Sequence, residues 1–230
     1  MRSTRDLKST EAVLTIPESI CLTESLAREA PTGQALAEYF ASLDSPESKW
    51  NEANPLDPHA IGVLFMVAFL MHQRSQPGSF FAPYVLSLPQ SYDSISLFWP
   101  EQDRRILFRN TNLNTIIEHR LAHLKDGFEH VTKSCSHLFE NAEKDLTWDC
   151  FVWAYSSISS RAFPRLSLLG NVDRGYIYKP QEEAQKTEIC LYPVLDMVLI
   201  FFLINFLNCR PTMNEHVPSN GEHRSKTCLL

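Results

Sequence analysis

Leu191-Tyr192-Pro193-Val194-Leu195-Asp196-Met197 runs into Val198-Leu199-Ile200-Phe201-Phe202-Leu203-Ile204-Asn205-Phe206, and then into Leu207-Asn208-Cys209-Arg210-Pro211. Residues 189–195 are β-prone. Residues 198–206 carry no charge and no proline. Removing those nine residues leaves a continuous line, LYPVLDM-LNCRP, with a carboxylate at Asp196 and an amide at Asn208. A helix needs about 20 apolar residues to cross a bilayer. The apolar run from Val198 to Leu207 is too short, and Asp196 and Pro193 stand directly upstream, so no membrane span is expected. If exposed, V-L-I-F-F-L-I has the composition of an aggregating strand.

The chain of 230 residues is long enough to bury a core and predicts one domain, or one domain with an insertion. With 44% hydrophobic and 21% charged residues, it has the composition of a globular protein rather than a disordered one. A net charge of −6 gives no basic footprint, so no nucleic-acid partner is expected. The six cysteines (21, 135, 150, 190, 209, 228) form no C-x-x-C pair, and the polar stretch Met1 to Lys8 is unlike a signal peptide. Reduced thiols and a cytoplasmic or nuclear location follow as expectations. Cys228 stands third from the end rather than fourth, so no prenyl anchor is expected.

Along the chain, residues 11–16 before Pro17 predict a short strand. Gln34 to Leu43 has helical spacing. Asp57 and Pro58 open a helix, and Ala60 to Met71, apolar nearly all round, predicts a buried one. Phe80 to Pro89 is aromatic-rich and closed by proline, and Trp99-Pro100-Glu101 starts another helix. The spacing of Ile116, Ile117, Leu121, Leu124, Phe128, Val131 and Leu138 predicts a long helix from Asn112 to about Asn141. Asp145 or Thr147 caps a further helix through Trp148, Phe151, Trp153 and Tyr155, whose aromatic rings predict core packing. His119, His123, His130 and His137, at helical spacings, predict a solvated face. Residues 165–180 read as loop or strand, and Met213 to Lys226 as a disordered tail. Strand, then helices, then strand again predicts an α+β class rather than a doubly wound sheet.

Four stretches, in this order, resemble SET-domain protein methyltransferases of the Rubisco large-subunit methyltransferase-like subgroup. Arg5-Asp6-Leu7-Lys8 through Ile16-Pro17 is similar to that family's opening hairpin. Ser79-Phe80-Phe81-Ala82-Pro83-Tyr84 with Leu88-Pro89 and Trp99 resembles its insert. Trp153 through Ser159-Ser160-Arg161-Ala162-Phe163 resembles its W…S-R-[AS]-F line, and LYPVLDM…LNCRP its L-x-P-x-x-D-[LM]-x-N-H line. The resemblance implies a partial SET domain of short twisted sheets split by a long helical insert. Its N-terminal segment would be 1–30, the insert 31–145 and the C-terminal segment 146–211, carrying the apolar insertion 198–206, with a tail at 212–230.

It also implies transfer of a methyl group from S-adenosylmethionine to a protein lysine, or in some relatives a histidine. Arg161 then matches the arginine that contacts the cofactor; taken alone it reads as a surface ion pair, and its neighbours Ser160 and Ala162-Phe163 favour the cofactor. Asn208 matches the cofactor-holding asparagine if residues 198–206 loop out, with Asn205 as the alternative match. Nine extra residues add roughly 30 Å of extended contour. Glu24 and Ser25 stand where relatives touch the cofactor, although Thr23-Glu24-Ser25 also reads as a helix cap. Asp196, Ser160 and Arg165 fall on the substrate side; Arg165 reads equally as a solvated arginine. No metal is implied.

Against the family pattern, the glycine-rich G-x-G would stand before Ser3, Cys209 replaces a histidine, and residues 212–230 hold no tyrosine for the catalytic segment. An impaired enzyme is therefore expected. A non-catalytic SET-like protein-binding fragment, or a faulty gene model with 198–206 translated from an intron, is the alternative.

Overall fold

The computed structural model describes residues 16–43, 60–164 and 188–195. In chain order the elements are β1 (Leu22–Thr23), α1 (Glu24–Glu29), α2 (Pro31–Ser42), α3 (Ala60–Ser75), α4 (Ala82–Ser87) and α5 (Glu101–Leu107). There follow α6 (Leu113–Cys135), α7 (Ala142–Asp145), α8 (Trp148–Arg161), β2 (Phe163–Pro164) and β3 (Ile189–Leu191).

Helix α3 is the centre. Its apolar residues leave no polar stripe to face water, so every side must be covered. Ile61, Leu64, Phe65, Met66, Val67, Phe69, Leu70 and Met71 are all buried. Helices α1, α2, α4 and α8 pack around it, with α6 and α7 also touching it. From α8, Phe151, Trp153, Ala154, Tyr155 and Ile158 join the same cluster. Burying each large apolar side chain is worth about 1.5–3 kcal/mol. The core aromatics expected from α8 are in place: Trp148 stacks on Phe151 at 5.6 Å, and the Trp153 indole N–H donates to the Pro89 carbonyl at 2.8 Å. The Arg74 guanidinium lies 4.2 Å over the Trp153 ring.

The three strands form one antiparallel sheet in the order β1-β3-β2. Mostly helical with a small sheet, the architecture is of the expected α+β class. Its helical ends show why some boundaries moved. Thr147, one of two candidate caps, caps α8: its hydroxyl accepts from the Cys150 N–H at 3.3 Å. Helix α6 stops at Cys135 instead of reaching Asn141, and Ser136–Leu138 tighten into a 3-10 turn. Just before that point the Ser134 hydroxyl bonds back to the His130 carbonyl at 2.8 Å, a local alternative that serines offer to the helical ladder. Phe80–Pro89, left without an element from sequence, contains α4, with a proline in its first turn where no N–H is needed. Strand β3 ends at Leu191 rather than continuing to Leu195, and Pro193, which lacks an N–H for a ladder, stands two residues on.

The histidines do not share one solvated face. His119 and His137 are exposed, but the His130 ring lies 5.1 Å from Phe40 and 5.7 Å from Tyr39, where α2 packs on α6. The strand expected at 11–16 and the helix start at 55–59 lie outside the described residues, apart from Ile16.

Candidate functional site

Three segments far apart in sequence meet in the sheet. Cys190 of β3 stands opposite both Thr23 of β1 and Phe163 of β2. The central strand therefore joins the start of α1 to the end of α8. These edges carry the 23–25, 160–163 and 191–195 stretches. Alternation puts Cys21, Cys190 and Tyr192 in one small buried cluster, with Ile16, Phe163 and Leu195 packed against it.

Arg161 is the last residue of α8 and is only 8% exposed. That burial removes the reading of a solvated surface arginine. A guanidinium at a helix C-terminus also sits at the negative end of the helix dipole. The following N–H, from Ala162, closes the helix on the Ile158 carbonyl at 2.8 Å, and the chain enters β2 directly. Ser160, its neighbour, is exposed, and its hydroxyl folds back on the Ser156 carbonyl at 2.6 Å.

At the other edge, the Thr23 hydroxyl accepts from the Leu26 N–H at 3.1 Å, so the cap reading of 23–25 holds for Thr23. Glu24 is engaged inside the fold: its carboxylate accepts from Arg28 Nε at 2.9 Å. That same carboxylate lies on the α3 backbone at Gly62, where a Cβ would meet it at 2.4 Å. Arg28 in turn covers the Phe65 ring at 4.0 Å. The Ser25 hydroxyl donates to the Glu188 carboxylate, which ties α1 to the residue before β3. Glu188 was not singled out from sequence; its signal was only an acid directly preceding a β-prone run.

Of the seven candidates, the structure thus places Glu24 and Ser25 beside β1, and Ser160 and Arg161 beside β2. Asp196, Arg165 and Asn208 lie outside the described residues. Neither of two clefts that the helices form includes any of the four placed candidates. One, of ≈ 40 Å³ between α3, α6 and α8, is lined by Val63, Leu64, Arg120, His123 and Tyr155 among others. It has room for little more than water. There the Tyr155 hydroxyl accepts from Arg120 at 2.8 and 3.0 Å. The other is an open groove between α2 and α6. No group of acids, histidines and cysteines among the described residues is arranged to hold a metal ion, and no helix there is long and apolar enough to cross a membrane.

No protein-family model matches the chain. Over 200 residues, 86% of its length, it is 24% identical to the actin-histidine N-methyltransferase of Dasypus novemcinctus. The same identity and coverage hold for the actin-histidine N-methyltransferases of Rattus norvegicus and Homo sapiens. The matched stretch is 29% of the first relative and 28% of the other two, so the chain spans less than a third of the curated relatives' length. The similarity is to protein methyltransferases, and the acceptor that these relatives' names give is histidine.

Proposed function

We propose that this chain is the part of an S-adenosylmethionine-dependent protein methyltransferase that carries one wall of the cofactor site, and that the acceptor is a side-chain nitrogen of a protein, histidine or lysine. One observation carries the reading: a buried arginine, Arg161, ends α8 beside a sheet whose central strand joins two stretches resembling SET-domain lines, at Phe163 and Leu191, to the start of α1. The weak similarity to actin-histidine N-methyltransferases supports the reaction class.

The donor chemistry fits in part. A buried guanidinium fork suits the carboxylate of the cofactor's methionine half, through two parallel charge-assisted bonds. The Ser25 hydroxyl stands at the opposite edge of the same sheet. Glu24, by contrast, holds α1 on α3 through Arg28, so its contribution is to fix that edge rather than to reach a ligand. Asn208 would complete the cofactor side, and Asp196, Ser160 and Arg165 the acceptor side, on the family pattern alone. S-adenosylmethionine supplies an electrophilic methyl on sulfonium. The protein's own task is to hold a neutral nitrogen in line with it and exclude water, since proximity and orientation give most of the rate.

Calorimetric titration of S-adenosylmethionine into the folded, monodisperse chain tests this. Binding in the micromolar range, about −8 kcal/mol, with a loss of at least about tenfold in Arg161→Lys, is the expected result. A thermal melt must show that the variant still folds. Methyl transfer would then be sought on actin and on lysine-bearing extract proteins. No heat from a folded chain overturns the cofactor reading. It would favour the second one, a non-catalytic protein-binding fragment, which the engaged Glu24 supports. Transcript reads across the codons for Val198–Phe206 decide separately whether that segment is translated intron: reads that span the junction without a gap exclude it.

A further inference from the structure

The cavity of ≈ 40 Å³ between α3, α6 and α8 has a polar side, formed by Arg120, His123 and Tyr155, and an apolar side that includes Val63, Val67 and Phe151. No acid lines it. One buried water needs about 10–15 Å³ of such space and two to four polar partners. The volume therefore admits a guest of water size, and the lining decides which one.

The polar side is held in place. Arg120 donates to the Tyr155 hydroxyl oxygen through Nε at 3.0 Å and Nη2 at 2.8 Å. Tyr155 is buried, and the Phe98 ring packs edge-on against its ring at 6.3 Å. A hydroxyl oxygen has two lone pairs, and Arg120 takes both. Arginine itself offers donors only, and a histidine ring accepts one bond at most. The helix carbonyls around the cavity serve their own ladders. Acceptors are therefore scarce here and donors are not. A water would have two protons to place among them; an anion has none.

Charge agrees with the hydrogen-bond balance. Helix α3 holds no acid. The acids of α6 (Glu118, Asp126 and Glu129) and of α8 (Asp149) are all exposed. Glu118 stands two residues from Arg120, a spacing that does not put two side chains on one helix face. Asp126 lies 3.5 Å from His130, and Glu129 holds Lys133 at 3.2 Å. A guanidinium is weakly hydrated, and a buried ion must be paired. We propose that this cavity binds a single halide ion, chloride or bromide, against Arg120 and Tyr155. The proposal stands apart from the methyl-transfer reading.

The test uses the full chain and chloride-35 NMR, in which a bound ion exchanging with bulk broadens the line. The excess width should rise with protein concentration and be displaced by bromide. Arg120→Gln removes the charge and should weaken chloride binding at least about tenfold. Val63 is half-buried, so Val63→Phe should fill the cavity from α3 and exclude the ion. No excess broadening, or broadening that survives either variant in folded form, overturns the proposal. Survival in both marks an adventitious ion only. Thermal melts check that each variant folds. Where one does not, anomalous diffraction from crystals of the parent chain grown in sodium bromide decides. A bromide peak in the cavity beside Arg120 upholds the proposal. A water there, an empty cavity, or bromide on the surface alone overturns it.

Discussion

Gly33 lies where α2 starts against α1, and a Cβ built there would stand 2.1 Å from the Ala27 carbonyl oxygen and 2.6 Å from Arg28 Cα. Backbone cannot yield as a side chain can. Gly33→Ala should therefore cost about 1–3 kcal/mol through overpacking, more than the gain of up to about 1 kcal/mol from helix propensity. The nearest atoms to a Cβ at Gly62 belong to the end of the flexible Glu24 side chain, so the loss in Gly62→Ala should be the smaller; paired thermal melts check the order. If Gly62→Ala melts lower than Gly33→Ala, the tight α1–α2 approach is not what this glycine serves. Val194 is the non-glycine residue with positive φ among the described residues, at 76°. A Cβ in that conformation costs about 1–2 kcal/mol, so Val194→Gly should raise the melting temperature, whereas Val194→Ala should not. Arg161 shows what can be read at this scale. Its neighbours in S-R-A-F singled it out, but its burial is a tertiary outcome that those neighbours do not encode.

Elements were legible where one physical signal dominated. The apolar run of α3, the Thr147 cap and the periodicity of α6 each identify a helix, because packing and capping act within a few turns. The end of α6 was not, since serine hydroxyls bonding their own backbone compete with the helix only locally. Helix α3 also carries a titrating group. His72, in its last turn, packs edge-on against Phe139 at 5.4 Å. Burial lowers its pKa below the usual 6.5, and a hydrogen bond with the Leu138 backbone opposes that shift. The folded state then binds this proton less readily than the unfolded one. The contribution is fully present above pH 6.5 and is lost as pH falls from there through the lowered folded value. Urea midpoints at neutral pH and near pH 5 should drop less in His72→Leu than in the parent; an equal drop would place the acid sensitivity elsewhere.

At the scale of the molecule, α8 packs directly on α3, and both share one core. The two helices should therefore unfold together, with coincident urea transitions by tryptophan fluorescence and circular dichroism. The uncharged run Val198–Phe206 acts at this scale too. As exposed chain it is an aggregation hazard, so deleting residues 198–206 should raise the soluble yield, measured as the supernatant fraction on expression. An unchanged yield would mean that the run is already covered.

Class, the buried helix α3, the periodic helix α6, the aromatic helix α8 with two candidate caps, and the candidate residues were legible in the sequence alone. They rest on periodicity, capping chemistry and short residue lines, all of which act over a few neighbours. Only the tertiary structure decided that Thr23, Phe163 and Cys190 share one sheet and that Arg161 is buried beside it. It alone set Glu24 against Gly62 and Arg28, and left Ile106 and Leu107 exposed. Those outcomes depend on contacts between residues far apart along the chain, and no local pattern encodes which distant partner a side chain will meet.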